Sequence, residues 1–170
     1  MQVNLFRPAP ELLVMYARYH RDRRNIATHL MGIPLIVMSL GSFLSMKLGP
    51  SGGVAVIWLI HALSTVWYLT RGAWSLGLAT ACVNGALIAL ALSLADALPV
   101  APHWQGVGLF ATGWAFQFVG HYFEGRKPAF VDDLAGLLVG PMFVVAEVMA
   151  AFGMLQPLMR TVEEQAGPVH

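Results

Sequence analysis

Charged side chains are missing from long parts of this chain. Residues 26–46, 54–70, 72–95 and 104–123 contain no Asp, Glu, Lys or Arg, and residues 134–155 contain only Glu147. The hydrocarbon core of a bilayer is about 30 Å thick and takes roughly 20 helical residues to cross. Each stretch is near or above that length, the second being the shortest. Lipid offers no partner to a backbone amide, so segments of this kind span as helices. Composition agrees, with 57% hydrophobic and 11% charged residues in a chain of 170, whereas a soluble domain carries about 25% charged residues. The mean hydropathy is +0.64. The predicted fold is all-α, an integral membrane bundle of about five transmembrane helices.

Between the apolar stretches lie Gly49-Pro50-Ser51-Gly52-Gly53, Arg71-Gly72, the segment with Pro99 and Pro102, and the segment from Gly125 with Pro128. Gly and Pro at such places punctuate helices. No linker is long enough to divide the chain. Residues 1–25 read as a cytoplasmic or interfacial segment, 26–155 as the helical membrane domain and 156–170 as a tail. The N-terminal segment has five arginines and no long apolar run, so it does not read as a secretory signal. Its apolar part from Pro10 to Tyr19 predicts a short helix, lying on the membrane surface or packed on the bundle. Lys and Arg favour the cytoplasmic side. Arg7, Arg18, Arg21, Arg23, Arg24, Arg71, Arg126 and Lys127 fall on one side of a five-span topology, and Lys47 and Arg160 on the other. This predicts a cytoplasmic N-terminus, an outward C-terminus and, for a bacterial chain, the inner membrane. Gly136 and Gly140 suggest close helix contact, and Gly32-Ile33-Pro34 and Gly140-Pro141 suggest kinks.

The formal net charge of +1 argues against a nucleic-acid partner. A single cysteine, Cys82, excludes an internal disulfide framework and any CxxC metal or redox motif; it reads as a small buried or lipid-facing side chain. The chain also lacks HExxH, GxSxG, P-loop and GxGxxG patterns, which argues against a metalloprotease, a serine lipase and a nucleotide enzyme.

Ionisable groups inside spans are costly and tend to mark a site. His29, His61, His121 and Glu147 lie within the apolar stretches, and His20 and Glu124 lie just outside them. His20, Asn25, His29, His121 and Glu124 fall at one depth near the cytoplasmic boundary. Asn25 and His29 share a helix face at spacing four, as His121 and Glu124 do at spacing three. For His20 and His29 to reach one centre the chain must bend between them. Imidazoles suit Zn, Cu, Fe and Ni, and an open carboxylate–histidine site suits non-haem Fe(II) with O2. His20, His29, His121 and Glu124 are therefore the candidate metal ligands. Asn25, Glu147 and His61 are candidates to orient those ligands from behind, although His61 can also be a histidine bonded within the bundle or a metal ligand itself. Glu147 and His61 also allow a different reading, a transport or assembly bundle with a proton or ion path. His103 and His170 read as an exposed loop histidine and a disordered terminal one.

Two segments carry a resemblance. The first is Y-H-R-D-R-R-N-I-A-T-H-L-M-G-I-P from Tyr19 to Pro34. The second is G-W-A-F-Q-F-V-G-H-Y-F-E-G-R-K-P-A-F from Gly113 to Phe130, followed by G-P-M-F-V-V-A-E from Gly140 to Glu147. Together they resemble the membrane 2-hydroxy fatty acid dioxygenases. The resemblance implies Fe(II)-dependent α-oxidation, in which a 2-hydroxy fatty acid and O2 yield an acid one carbon shorter. It places the catalytic histidines at His20, His29 and His121. An amphiphilic substrate suits a site at the membrane boundary. Arg126 and Lys127 are then candidates to attract its carboxylate, and Trp114, Phe118 and Tyr122 to wall its acyl channel. A metalloenzyme acting on another lipid remains open on the same residues.

Overall fold

The computed structural model describes residues 5–46, 55–126 and 136–170. These residues form helices and no strand. In chain order they are α1 (Ala9–Ala17), α2 (Arg23–Phe43), α3 (Val56–Leu69), α4 (Trp74–Ala97), α5 (Pro102–Glu124), α6 (Gly136–Ala151) and α7 (Gln156–Ala166). Every charge-free stretch contains one helix.

Local chemistry sets several of the ends. Asp22 caps α2 by accepting from the Arg24 N–H at 2.8 Å, which satisfies one of the amides orphaned at a helix start. Pro102 opens α5, where its missing N–H costs nothing. Gly125 closes α5 in the left-handed conformation at φ 68°, a position glycine adopts without strain. Pro34 and Pro141 lie inside α2 and α6.

The number of spans differs from the expected five. Among the described residues, α2 and α4 are long and apolar enough to cross a membrane. A third span results only if α6 and α7, bent by 117° at their junction, count as one. The 14 residues of α3 extend about 21 Å at 1.5 Å per residue, short of a bilayer core. At 23 residues α5 is long enough, but His103, Gln105, Gln117, His121 and Glu124 lower its hydropathy. Charge-free sequence is thus not the same as sufficient length and apolarity. The outer faces remain apolar, with Leu63, Val66, Leu90 and Val107 exposed, as membrane association requires. Cys82 is exposed on α4.

The two ends of the chain meet in the fold. Of the two placements expected for the N-terminal helix, α1 takes the packed one: Leu12, Leu13, Val14 and Ala17 are buried with Phe143, Val145 and Val162 of α6 and α7. Within residues 156–170, Gln156–Ala166 form α7. The chain beyond α7 returns to the segment between α1 and α2, where the Arg23 N–H donates to the His170 carbonyl and the His170 N–H to Arg21. The described C-terminal residues therefore lie at the same end of the fold as Arg21 and Arg23. His170 is ordered by these two bonds.

Helix α2 packs against α5 along most of its length. The pairing is antiparallel, and a glycine every seventh residue of α5 sits in the seam. Gly120 faces Asn25 and Thr28, Gly113 faces Gly32 and Ile36, and Gly106 faces the Phe43 ring. A Cβ at Gly113 would lie 2.9 Å from the Gly32 carbonyl oxygen and 2.8 Å from Ile36 Cγ1. The absence of side chains lets the backbones approach this closely. Gly140 plays a similar part on α6, where a Cβ would meet Ile33 and the Tyr16 hydroxyl at 3.1 Å.

The seam makes a direct prediction. Gly113→Ala should destabilise the fold by about 1–3 kcal/mol, the usual cost of overpacking. Gly108→Ala, with nothing within 4 Å of the new methyl, should keep or slightly raise the melting temperature, since alanine is favoured over glycine inside a helix. Thermal unfolding of the two variants in the same detergent checks the contrast.

Candidate metal centre

The α2–α5 seam carries His29 and His121 to one level, and the connection after α1 brings His20 between them. The chain turns at Arg18 and Tyr19 and restarts as helix at Arg23, which supplies the bend needed between His20 and His29. One ring nitrogen from each of the three histidines lies within 4.8 Å of the others. All three residues are buried. The ring centroids are 4.4 Å apart for His20–His29, 4.9 Å for His20–His121 and 5.0 Å for His29–His121. Tyr16 stacks on His20 at 4.1 Å, nearly parallel.

Hydrogen bonding sets the tautomers. His20 Nδ1 lies 2.7 Å from the Tyr16 carbonyl and His29 Nδ1 lies 2.9 Å from the Asn25 carbonyl. A carbonyl only accepts, so each Nδ1 carries the proton and donates. A neutral imidazole then has a bare lone pair on Nε2. The two Nε2 atoms face each other at 3.0 Å. Protonating one would relieve the clash, but burial holds His20 well below the ordinary histidine value, and His29 beside it pushes the same way. Two inward lone pairs at this distance are repulsive unless a cation lies between them. Histidine nitrogens bind Zn at about 2.0–2.1 Å, and a separation of 3.0 Å matches two such ligands at about a right angle. The donor set therefore fits a metal ion. Nδ1 of His121 is also buried, with no hydrogen-bond partner among the described residues.

Glu124 does not join this group. Its carboxylate accepts from the Arg21 N–H at 2.9 and 3.0 Å, from the Asp22 N–H at 2.9 Å and from Asn25 Nδ2 at 2.9 Å. It holds the backbone on which His20 sits. Asn25 belongs to the same network, bonding Tyr19 through Nδ2 and His29 through its carbonyl. Arg21 ties this corner together, donating to the Ala17, His20 and Gly167 carbonyls.

The structure separates the other expected residues. Glu147 is half-buried on α6 and its main electrostatic partner is Arg21. Among the described residues it has no hydrogen bond to any of the three histidines, and its Oε1 has no partner. His61 packs on Trp58 of its own helix and against Gly85 of α4, not behind the three histidines. No hydrogen bond joins His61 to Glu147 among the described residues. Arg126 is exposed and donates to the Arg18 carbonyl at 2.6 Å. It lines a polar cavity with Arg18, Arg21 and Glu124. Lys127 lies outside the described residues.

A second cavity, of about 210 Å³, opens from His29 and His121 and runs between α2, α5 and α6 as far as Leu40 and Phe110. Its walls are mostly apolar, with Ile33, Ile36, Val37 and Leu137 among them. Trp114 lines it, but Phe118 and Tyr122 are 55% and 83% exposed on the outside of α5. The reason is helical drift. The cavity-facing positions are 110, 114, 117 and 121, whereas a strict spacing of four from 114 moves steadily off that face. Gln117 was missing from the sequence-level candidates although it lies one turn before His121. Its signal was present, a polar residue in an apolar span. It is 5% exposed, and its Nε2 has no hydrogen-bond partner among the described residues.

Comparison with known proteins fits this geometry. A family model described as "Mpo1-like: 2-hydroxy-palmitic acid dioxygenase Mpo1-like" matches residues 6–152. The chain belongs to this Mpo1-like family. It is 32% identical over 154 residues to the 2-hydroxy-palmitic acid dioxygenase MPO1 of Saccharomyces cerevisiae, covering 89% of this chain and 85% of that protein. No solved structure matches. The family match covers all three clustered histidines and the apolar cavity beside them.

The network around Glu124 predicts its effect. Glu124→Ala removes the acceptor of two backbone amides, and hydrogen bonds to charged groups are worth about 1.5–3 kcal/mol each. The variant should unfold at a lower temperature. By releasing the His20 segment it should also weaken metal binding about 10–100-fold, the range seen when partners of metal ligands are removed. Metal titration followed by thermal unfolding measures both effects.

Proposed function

We propose that this chain is an Fe(II)-dependent dioxygenase that converts 2-hydroxy fatty acids, with O2, to acids one carbon shorter. The observation that carries the reading is the buried histidine cluster at the mouth of an apolar cavity, in a chain similar to a 2-hydroxy-palmitic acid dioxygenase. His20, His29 and His121 would hold the iron. Three neutral imidazoles leave coordination positions for oxygen ligands, and bound iron would supply activation of dioxygen.

The chain's own residues contribute position and exclusion. The Tyr16 and Asn25 carbonyls fix two imidazoles with Nε2 inward. Glu124 and Arg21 hold the backbone that carries His20. The cavity follows α2 from His29 to Leu40, about 16 Å at 1.5 Å per residue, and offers an acyl tail a mostly apolar wall. The carboxyl end of an amphiphile would remain at the histidine end, and burial of these histidines keeps bulk water from the reacting centre. In this reading the end rich in arginine, with Arg18, Arg23, Arg24 and Arg126, faces the cytosol, as the positive-inside rule favours.

Elemental analysis of the solubilised protein, paired with oxygen uptake, tests the assignment. The unmodified chain should hold about one iron and consume O2 with 2-hydroxy-palmitic acid. His29→Ala and His121→Ala should each remove most of the iron and lower turnover by at least about 100-fold, since both effects follow the loss of a ligand. Full iron content and normal turnover in these variants would refute the site.

A further inference from the structure

Resting on the substrate class just proposed, we infer that Gln117 is the residue that recognises the oxygen on the carbon next to the substrate carboxylate. It would thereby select a 2-hydroxy acid over the plain acid of equal length.

Three observations converge on Gln117. It lines the apolar cavity together with His29 and His121. It is 5% exposed, yet its Nε2 has no hydrogen-bond partner among the described residues. Its amide also occupies space left clear by the facing helix, since a Cβ at Gly32 would collide with Nε2. Buried polar groups normally find partners. A leucine or methionine would fill this position without that requirement, so a carboxamide here, whose polar end would turn from Gly32 toward the cavity, points to a partner supplied by a ligand.

Its depth indicates which part of the ligand. Gln117 precedes His121 by four residues, and the facing Gly32 follows His29 by three. Both spacings are close to one helical turn, about 5.4 Å, along the cavity from the histidines. An amphiphile with its head at the histidines brings its first carbons to this level and its tail to Ile36, Leu40 and Phe110. A plain fatty acid has only methylenes there. A 2-hydroxy acid adds one hydroxyl, which donates one hydrogen bond and accepts others. A carboxamide has both a donor and an acceptor and bears no charge, so it matches a neutral hydroxyl in a mostly apolar cavity. A site built to hydrogen-bond a hydroxyl rejects the analogue lacking it, because its own polar group is then left unpaired.

The test is binding rather than turnover. Affinities for 2-hydroxy-palmitic acid and palmitic acid are measured under anaerobic conditions on the full chain, as purified and after chelator treatment. Gln117→Met keeps the length of the side chain and removes its polarity. It should weaken binding of 2-hydroxy-palmitic acid about 10-fold in both preparations and change palmitic acid binding by less than about 2-fold. Gln117→Leu provides the same comparison with a different shape, and palmitic acid binding reports an intact cavity in either variant. Equal losses for the two acids, or a preserved preference for the 2-hydroxy acid, would overturn the inference while leaving the substrate class standing. Equal affinity of the unmodified chain for the two acids would overturn it as well, whereas failure to bind either acid would count against the substrate class itself.

Discussion

The antiparallel contact between α2 and α5 is the constraint on which the rest depends. Two helices approach closely only where side chains are absent, and Gly106, Gly113 and Gly120 provide three such points at intervals of seven. That register sets His29 opposite His121 and Gln117 opposite Gly32. It also aligns the two helix faces that, with α6, enclose the apolar cavity. A change of register by one residue would rotate these side chains by about 100° and disperse both the cluster and the cavity.

The second constraint is electrostatic. Two carbonyls that accept from Nδ1 leave two Nε2 lone pairs facing each other at 3.0 Å in a buried space. Such an arrangement is unfavourable by itself and favourable around a cation. The network that tolerates it is held from three directions: α1 through Tyr16, α5 through Glu124, and the C-terminal segment through Gly167 and His170. Glu124 thus shapes the site through the backbone, although its sequence position three residues after His121 suggested direct ligation. Spacing placed both groups on one helical face; it did not reveal that two amides of the α1–α2 connection would be nearer competitors for the carboxylate.

The same distinction explains the span count. Loss of charge marked each described helix from α2 to α6 to within a few residues. It did not reveal that α3 stops at 14 residues or that α6 turns by 117° into α7. Helix existence follows from local composition. Bends and the direction of return follow from packing, here the burial of α1 between α6 and α7. For the same reason Phe118 and Tyr122 seemed suitable walls for an acyl chain, yet lie outside the bundle. Periodicity identifies a face but not which neighbour covers it.

By itself the sequence determined the helical class, the apolar character of the chain and the three histidines, because each rests on composition or on residues that hydrocarbon rarely accommodates. The motif segments containing those histidines also carried the resemblance to the family. Only the tertiary structure decided that the imidazoles share one centre, that Glu124 serves the backbone, that His61 lies elsewhere and that Gln117 faces the cavity. These outcomes depend on the register between helices remote in sequence, and that register is set by close backbone contact rather than by any local preference.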